Sequence, residues 1–164
     1  MHLADATVIF RALNRAEVRY FVVGGLAVAA HGYGRLTADI DLVIGLEPAN
    51  ITKGLRALES AGYRMAVPVT PEDFADPVQR ERWRTEKGML VLKLWSDEHR
   101  HTPVDVFVYE PFDVEQECRK ASRVTLEADL DVPVVSLETL LTMKAQAGRP
   151  QDLADIEALK RLNP

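Results

Sequence analysis

The chain has 164 residues, of which 47% are hydrophobic and 27% charged, and its formal net charge is −5 at pH 7. This composition predicts one globular domain with a full core, and the acidic balance argues against a broad nucleic-acid surface without excluding RNA. The single cysteine, Cys118, excludes an internal disulfide and a cysteine-based zinc cluster. It fits a reducing compartment, so we expect a cytoplasmic location. The longest apolar run, residues 21–30, is too short to cross a bilayer, and we expect no membrane partner.

The first half of the chain mixes helical and extended patterns without strict alternation. A diglycine ends the first predicted strand, and Asn50 is predicted to cap a helix that Gly62 ends. The predicted elements are a helix over 3–18, a strand over 19–23, a short helix over 26–31, a strand over 37–44, a helix over 50–60, a strand over 63–67 and a loop over 68–77.

The second half continues the same mixture. Ser136 is predicted to cap a helix that Gly148 ends, and Pro150 suits the first turn of the last helix. The predicted elements are strands over 89–95 and 103–109, short strands around a turn within 124–135, and helices over 136–146 and 150–162. The pattern as a whole predicts an α+β fold or a mixed α/β sheet.

Two of the predicted strands carry carboxylates in otherwise apolar sequence. Asp39 and Asp41 share one face of their strand, and Asp105 lies on a later strand, opposite a face made of valines. A carboxylate in an apolar strand is costly unless it is exposed, paired or bound to a metal ion. The aspartates therefore either face water at a sheet edge or share a divalent cation, which would also relieve their mutual repulsion.

The diglycine favours the second of these alternatives. Gly24 and Gly25 stand at the start of the predicted short helix, where glycines let backbone N–H groups approach a phosphate. Such a turn, followed by Asp39 and Asp41, is the pairing that a site for a triphosphate and its metal ion requires.

These motifs together resemble the nucleotidyltransferase superfamily, the polymerase-β-like fold, through Val23-Gly24-Gly25, Asp39-Ile40-Asp41 and the later Asp105. The stretch over 35–42 and the tail over 140–156 further resemble the AbiEii-like and MenT-like branch, which is known for toxins of bacterial toxin–antitoxin systems. The resemblance implies a mixed twisted sheet flanked by helices. It also implies a single minimal nucleotidyltransferase domain over 1–164, with a C-terminal helical part from about residue 136.

The resemblance further implies metal-dependent transfer of a nucleoside monophosphate from an NTP such as ATP to an acceptor hydroxyl. Asp39 and Asp41 would hold Mg²⁺ or Mn²⁺ on the triphosphate. Asp105 would complete a second metal site or act as the base toward the acceptor, whose oxygen attacks the α-phosphorus and releases pyrophosphate. Gly24 and Gly25 would donate backbone N–H groups to the triphosphate.

Arg35 and Lys144 are the candidates for additional phosphate binding. Arg35 either reaches a phosphate or is an exposed loop arginine. Lys144 matches the phosphate-binding lysine of the family, with a solvated helix lysine as the alternative. The sequence leaves Lys93 open between solvent and a pairing with one of the aspartates. The acids near the start of the last helix, Asp152 and Asp155, are interpreted as stabilising the helix dipole alone.

The acceptor and the partners stay open at this level. The acceptor is an RNA 3′ end such as that of tRNA, a protein hydroxyl or a small molecule such as an antibiotic, and an antitoxin protein is an expected partner. Two other readings are a nucleotide- or partner-binding module without transfer activity, and a magnesium-dependent phosphatase or nuclease. The last needs only the carboxylates and leaves the diglycine unexplained.

Overall fold

Seven strands form one mixed sheet, flanked by eight helices, in a computed structural model that describes all 164 residues. The helices are α1 (Leu3–Arg15), α2 (Gly24–Ala30), α3 (Pro48–Ser60), α4 (Pro71–Ala75), α5 (Pro77–Lys87), α6 (Val114–Lys120), α7 (Leu137–Ala147) and α8 (Pro150–Leu162). The strands are β1 (Tyr20–Val23), β2 (Ile40–Ile44), β3 (Arg64–Met65), β4 (Val91–Trp95), β5 (Val104–Phe107), β6 (Ser122–Glu127) and β7 (Leu130–Val134).

The strand order across the sheet is β3-β4-β5-β2-β1-β7-β6. The pairs β1–β7 and β2–β5 are parallel, and the other neighbours are antiparallel. The predicted α+β class, with a mixed sheet flanked by helices, is therefore confirmed. None of the helices has the length and apolar character that crossing a membrane requires.

The two faces of β2 have different surroundings, and this difference positions the site. Ile44 packs against α3, where a Cβ on Gly54 would lie 3.1 Å from Ile44 Cδ1. Ile40 and Leu42 share that face because side chains alternate along a strand, and both are fully buried. Asp41 consequently points to the opposite face, on the side where α2 contacts α7.

Several predicted boundaries are confirmed within a few residues, including the last helix from Pro150 and the cap of α7, where Ser136 accepts a hydrogen bond from the Thr139 N–H. The predicted loop over 68–77 is wrong, because Thr70 and Asp73 form a capping box that begins α4. Helices α5 and α6 were not predicted. The cap assigned to Asn50 is also wrong: Glu47, three residues earlier, caps α3 and accepts hydrogen bonds from the Ala49 and Asn50 N–H groups.

Candidate active site

Three carboxylates meet at one end of the two central strands β2 and β5. Asp41 lies in β2 directly opposite Asp105 in the parallel register with β5, and Asp39 precedes β2 by one residue. Their side-chain oxygens lie within 4.8 Å of one another. The structure therefore brings together the three aspartates that the sequence singled out. Asp39 lies just before the strand and not inside it.

Asp41 has a raised pKa. Burial, followed by the negative charges of Asp39 and Asp105, raises the pKa of Asp41 from 3.8 to about 6. A backbone hydrogen bond from Gly25 and the positive charge of Lys144 act in the opposite direction. A carboxylate in such surroundings favours a proton or a cation, and the arrangement suits the binding of a divalent ion.

The diglycine makes room for this cluster. Gly24 follows β1 with a φ of +63°, and a Cβ built there would lie 1.8 Å from Asp41 Oδ2. A Cβ on Gly25 would lie 2.5 Å from Thr37 Oγ1, and that hydroxyl donates a hydrogen bond to Asp39 Oδ1 at 3.3 Å. Gly24 therefore packs against Asp41, and Gly25 packs against Thr37, which binds Asp39. A side chain at Gly24 would displace Asp41, and one at Gly25 would displace Thr37.

Lys93 is the cation that contacts the cluster directly. It is paired with Asp105 in the antiparallel register of β4 and β5, and its Nζ lies 3.0 Å from Asp105 Oδ2 and 3.4 Å from Oδ1. The hydrogen bond and charge of Asp105 raise the pKa of Lys93 above its ordinary value. The structure thus decides between the two placements that the sequence left open, in favour of the ion pair.

Arg35 and Lys144 belong to a buried ion-pair network on α8. The Arg35 guanidinium donates two hydrogen bonds to the Asp155 carboxylate, at 2.8 and 2.9 Å. Lys144 Nζ lies 2.8 Å from Asp155 and 3.0 Å from Asp152. Asp155 is 0% exposed and Asp152 1%, so both lose their hydration and rely on these cations.

Arg149 completes the network at the surface. Its Nε donates to Asp152 Oδ2 at 2.7 Å while three quarters of its side chain is exposed. Burial by itself would raise the pKa of Asp152, but the hydrogen bonds from Arg149 and Lys144 outweigh burial and lower that pKa to about 2. The hydrogen bond with Asp152 raises the pKa of Arg149, and the charges of Asp41 and Asp39 add to this effect, so this guanidinium lies within the field of the acidic cluster.

The sequence interpretation of Asp152 and Asp155 as mere helix-dipole acids is wrong. Asp152 does cap α8, but both carboxylates are buried and bind the two predicted phosphate-binding residues, Arg35 and Lys144. A signal was present in the sequence: Asp152, Asp155 and the apolar Leu159 share one helical stripe, which is the stripe that α8 buries.

Comparisons with known proteins agree with this geometry. A family model described as "Nucleotidyl transferase AbiEii toxin, Type IV TA system" matches residues 9–164. No curated protein matches the chain.

Solved structures resemble the chain along nearly its whole length. One is a lincosamide antibiotic adenylyltransferase, LnuA, bound to lincomycin, with 18% identity, a TM-score of 0.62 and coverage of 97% of this chain and 96% of that one. Another is a protein assigned as a nucleotidyltransferase from Thermotoga maritima, with 17% identity, a TM-score of 0.60 and coverage of 98% and 92%. A third is an antigenic nucleotidyltransferase-like protein from Paracoccidioides brasiliensis, with 20% identity, a TM-score of 0.55 and coverage of 96% and 75%. At these identities the similarity concerns the fold.

Proposed function

The chain belongs to the AbiEii nucleotidyltransferase toxin family, and from this premise we propose that it transfers a nucleoside monophosphate from an NTP to an acceptor hydroxyl with the help of a divalent metal ion. The observation that carries the proposal is the grouping of Asp39, Asp41 and Asp105 within 4.8 Å. A cluster of this kind beside a Cβ-free diglycine turn supports a site for a metal-bound triphosphate.

The residues present fit Mg²⁺ or Mn²⁺. All three side chains supply hard carboxylate oxygens, which these ions prefer. Burial and then the charges of Asp39 and Asp105 raise the pKa of Asp41, and a bound cation would offset both effects. Asp39, Asp41 and Asp105 are the residues that would hold the metal. When bound, a divalent ion supplies charge neutralisation at the triphosphate and stabilises the oxygens that attack and leave during transfer.

The chain's own residues orient the reactants around that centre. Gly24 and Gly25 have no side chain, so their backbone lies directly against Asp41 and Thr37. This contact keeps the diglycine turn beside the carboxylates, where its N–H groups would face a metal-bound phosphate. Lys144 faces the cluster closely enough for its charge to act on Asp41, and Arg35 Nη1 would lie 3.3 Å from a Cβ on Gly25. We assign both residues to the phosphate side of the site, where Asp155 holds them.

The proposed acceptor is an RNA 3′ end such as that of tRNA, or a protein hydroxyl, and the proposed setting is a toxin that an antitoxin protein neutralises. A small-molecule acceptor is the second candidate, because the fold resembles that of the lincosamide adenylyltransferase over nearly the full length of both chains. Purified protein is incubated with Mg²⁺, each α-labelled NTP, and tRNA, extract protein or lincomycin in parallel. The acceptor that takes up label identifies the class.

Asp41→Asn is the critical variant in that assay. Asp131→Asn on β7 is its matched control, because Asp131 is an exposed strand aspartate that lies outside the cluster, two strands from β2, and accepts a hydrogen bond from Thr125. We expect label with wild type and Asp131→Asn and none with Asp41→Asn. Stabilisation by NTP and Mg²⁺ without label in any acceptor would favour a binding module instead.

We further propose that residues 1–164 fold as one minimal nucleotidyltransferase domain, with the C-terminal helical part from about residue 136 as an integral piece. The ion pair of Asp155 with Arg35 supports this view, since it joins that part to the loop before β2. A single urea transition, monitored by both fluorescence and circular dichroism, is the expected result. Two separate transitions would contradict it.

A further inference from the structure

We propose that Lys93 takes the place of a second divalent cation at Asp105, so that the acidic cluster holds one metal ion and not two. The inference rests on the proposed metal-dependent function. Its starting observation is that the Lys93 ammonium lies against both carboxylate oxygens of Asp105, at 3.0 and 3.4 Å. Those are the oxygens that a second ion would need.

The position of Lys93 is fixed by the sheet and not by a chance surface contact. Lys93 and Asp105 are direct neighbours in the register of β4 and β5, so their side chains share one face. Asp105 faces Asp41 on its other side, in the register with β2. Asp105 therefore lies between a carboxylate on one strand and an ammonium on the other.

Accessibility points in the same direction. The Asp105 side chain is only 9% exposed, whereas that of Lys93 is 69% exposed. The ammonium thus covers a nearly buried carboxylate, while most of the lysine side chain stays in contact with solvent. A second divalent ion at Asp105 would have to displace the lysine or lie beside it, and in both cases it meets a positive charge already in place.

The formal charges agree with one ion. The three carboxylates carry three negative charges, and Lys93 compensates one of them, which leaves the two that a single divalent ion neutralises. Lys144 is buried, and its charge acts on Asp41 from a distance, but its ammonium contacts Asp152 and Asp155 and not the cluster.

The test measures the number of Mn²⁺ ions bound by the full chain at neutral pH, with the metal alone and no nucleotide, from the electron paramagnetic resonance signal of free Mn²⁺. We expect one ion for wild type and two for Lys93→Met. Lys93→Arg, which keeps the charge, should bind one. Lys120→Met is the matched control, since it removes an exposed lysine paired with Glu138 at 3.2 Å, and it should also bind one.

Each other outcome overturns a specific statement. Two ions in wild type, or one ion in both wild type and Lys93→Met, would reject the role of Lys93 while leaving the proposed function intact. No Mn²⁺ bound by wild type, together with no transfer activity, would reject the proposed function and this inference with it. If Lys93→Met fails to fold, the number of bound Mn²⁺ ions is measured for Lys93→Gln, which also removes the charge. The number of Mn²⁺ ions bound by wild type distinguishes one ion from two in either case.

Discussion

Gly24 and Asp41 are so close that a single methyl group at Gly24 would meet Asp41 Oδ2 at 1.8 Å. The diglycine and the Asp-x-Asp motif are therefore not two independent parts of the site. The Asp41 carboxylate packs directly against the backbone of Gly24. A substitution at Gly24 or at Asp41 should therefore disturb both the turn and the carboxylate.

Gly24→Ala should lower transfer activity by at least about 100-fold, on the scale of losing one electrostatic group of an active site, because the new methyl group displaces Asp41. It should also reduce the free energy of unfolding by about 1–2 kcal/mol or more, because an alanine is strained at positive φ. The control is Gly88→Ala: Gly88 has nearly the same φ, +61°, with nothing within 4 Å of its would-be Cβ. Urea unfolding and transfer rates of both variants separate backbone strain from displacement, and equal activities would contradict the prediction.

Asp41→Asn should have opposite effects on activity and on stability. Transfer should fall by about 100-fold or more, since a ligand charge is lost. In metal-free buffer the melting temperature should rise, by about 2–4 °C for each kcal/mol of added unfolding free energy. The reason is that the substitution removes a buried negative charge next to those of Asp39 and Asp105. Differential scanning fluorimetry in EDTA measures the second effect, and a lower melting temperature than wild type would show that the repulsion is unimportant.

The pH dependence of stability should carry the signature of Asp41. Its pKa is raised from 3.8 to about 6 in the folded protein, so between these values the folded state binds the proton more tightly than the unfolded chain does. The contribution of Asp41 to the stability of the metal-free protein should therefore decrease as pH rises from about 4 to about 6. The difference in unfolding free energy between wild type and Asp41→Asn, measured by urea titration across this window, isolates that contribution. A difference that does not change with pH would exclude it.

Lys144→Met should destabilise the protein by about 3–5 kcal/mol, the cost of leaving buried charges without their partner. Asp152 and Asp155 are almost completely buried and share this lysine. Lys120→Met removes an exposed ion pair instead and should cost no more than about 1 kcal/mol. Chemical denaturation compares the two, and a similar small loss for both would mean that Arg35 and Arg149 alone support the buried acids.

The carboxylate cluster was predictable from the sequence because it obeys local rules. Asp39 and Asp41 stand two residues apart on a predicted strand with an apolar opposite face, and Gly24-Gly25 marks the turn before it. The meeting of Asp105 with Asp41 was implied by the family resemblance alone, since no local pattern states which strands are neighbours.

The parts that escaped prediction lack such local rules. Arg80 is the buried residue of helix α5, so the sequence of α5 lacks the apolar stripe by which a helix is predicted. The stretch that forms α4 was predicted as a loop because it contains several prolines, although Thr70 and Asp73 form a capping box that is typical of a helix start. The pairing of Asp155 with Arg35 is a tertiary contact between residues 120 positions apart in the sequence, and no local pattern predicts it. Asp152 and Asp155 also stand near the start of a helix, where acids are common, and this position led to the incorrect interpretation.

That long-range pair has a consequence for the order of folding. Closing a loop of 120 positions costs entropy before the contact returns any stabilisation, and such contacts tend to form late. The acids on α8 and the cations they hold would then come together after the central strands have paired. A φ-value near zero for Arg35→Ala would show this order, whereas a value near one would reverse it. In a chain that folds this way, the acidic cluster forms before Arg35 and Lys144 reach their positions on Asp155, so the charges beside the cluster are set last.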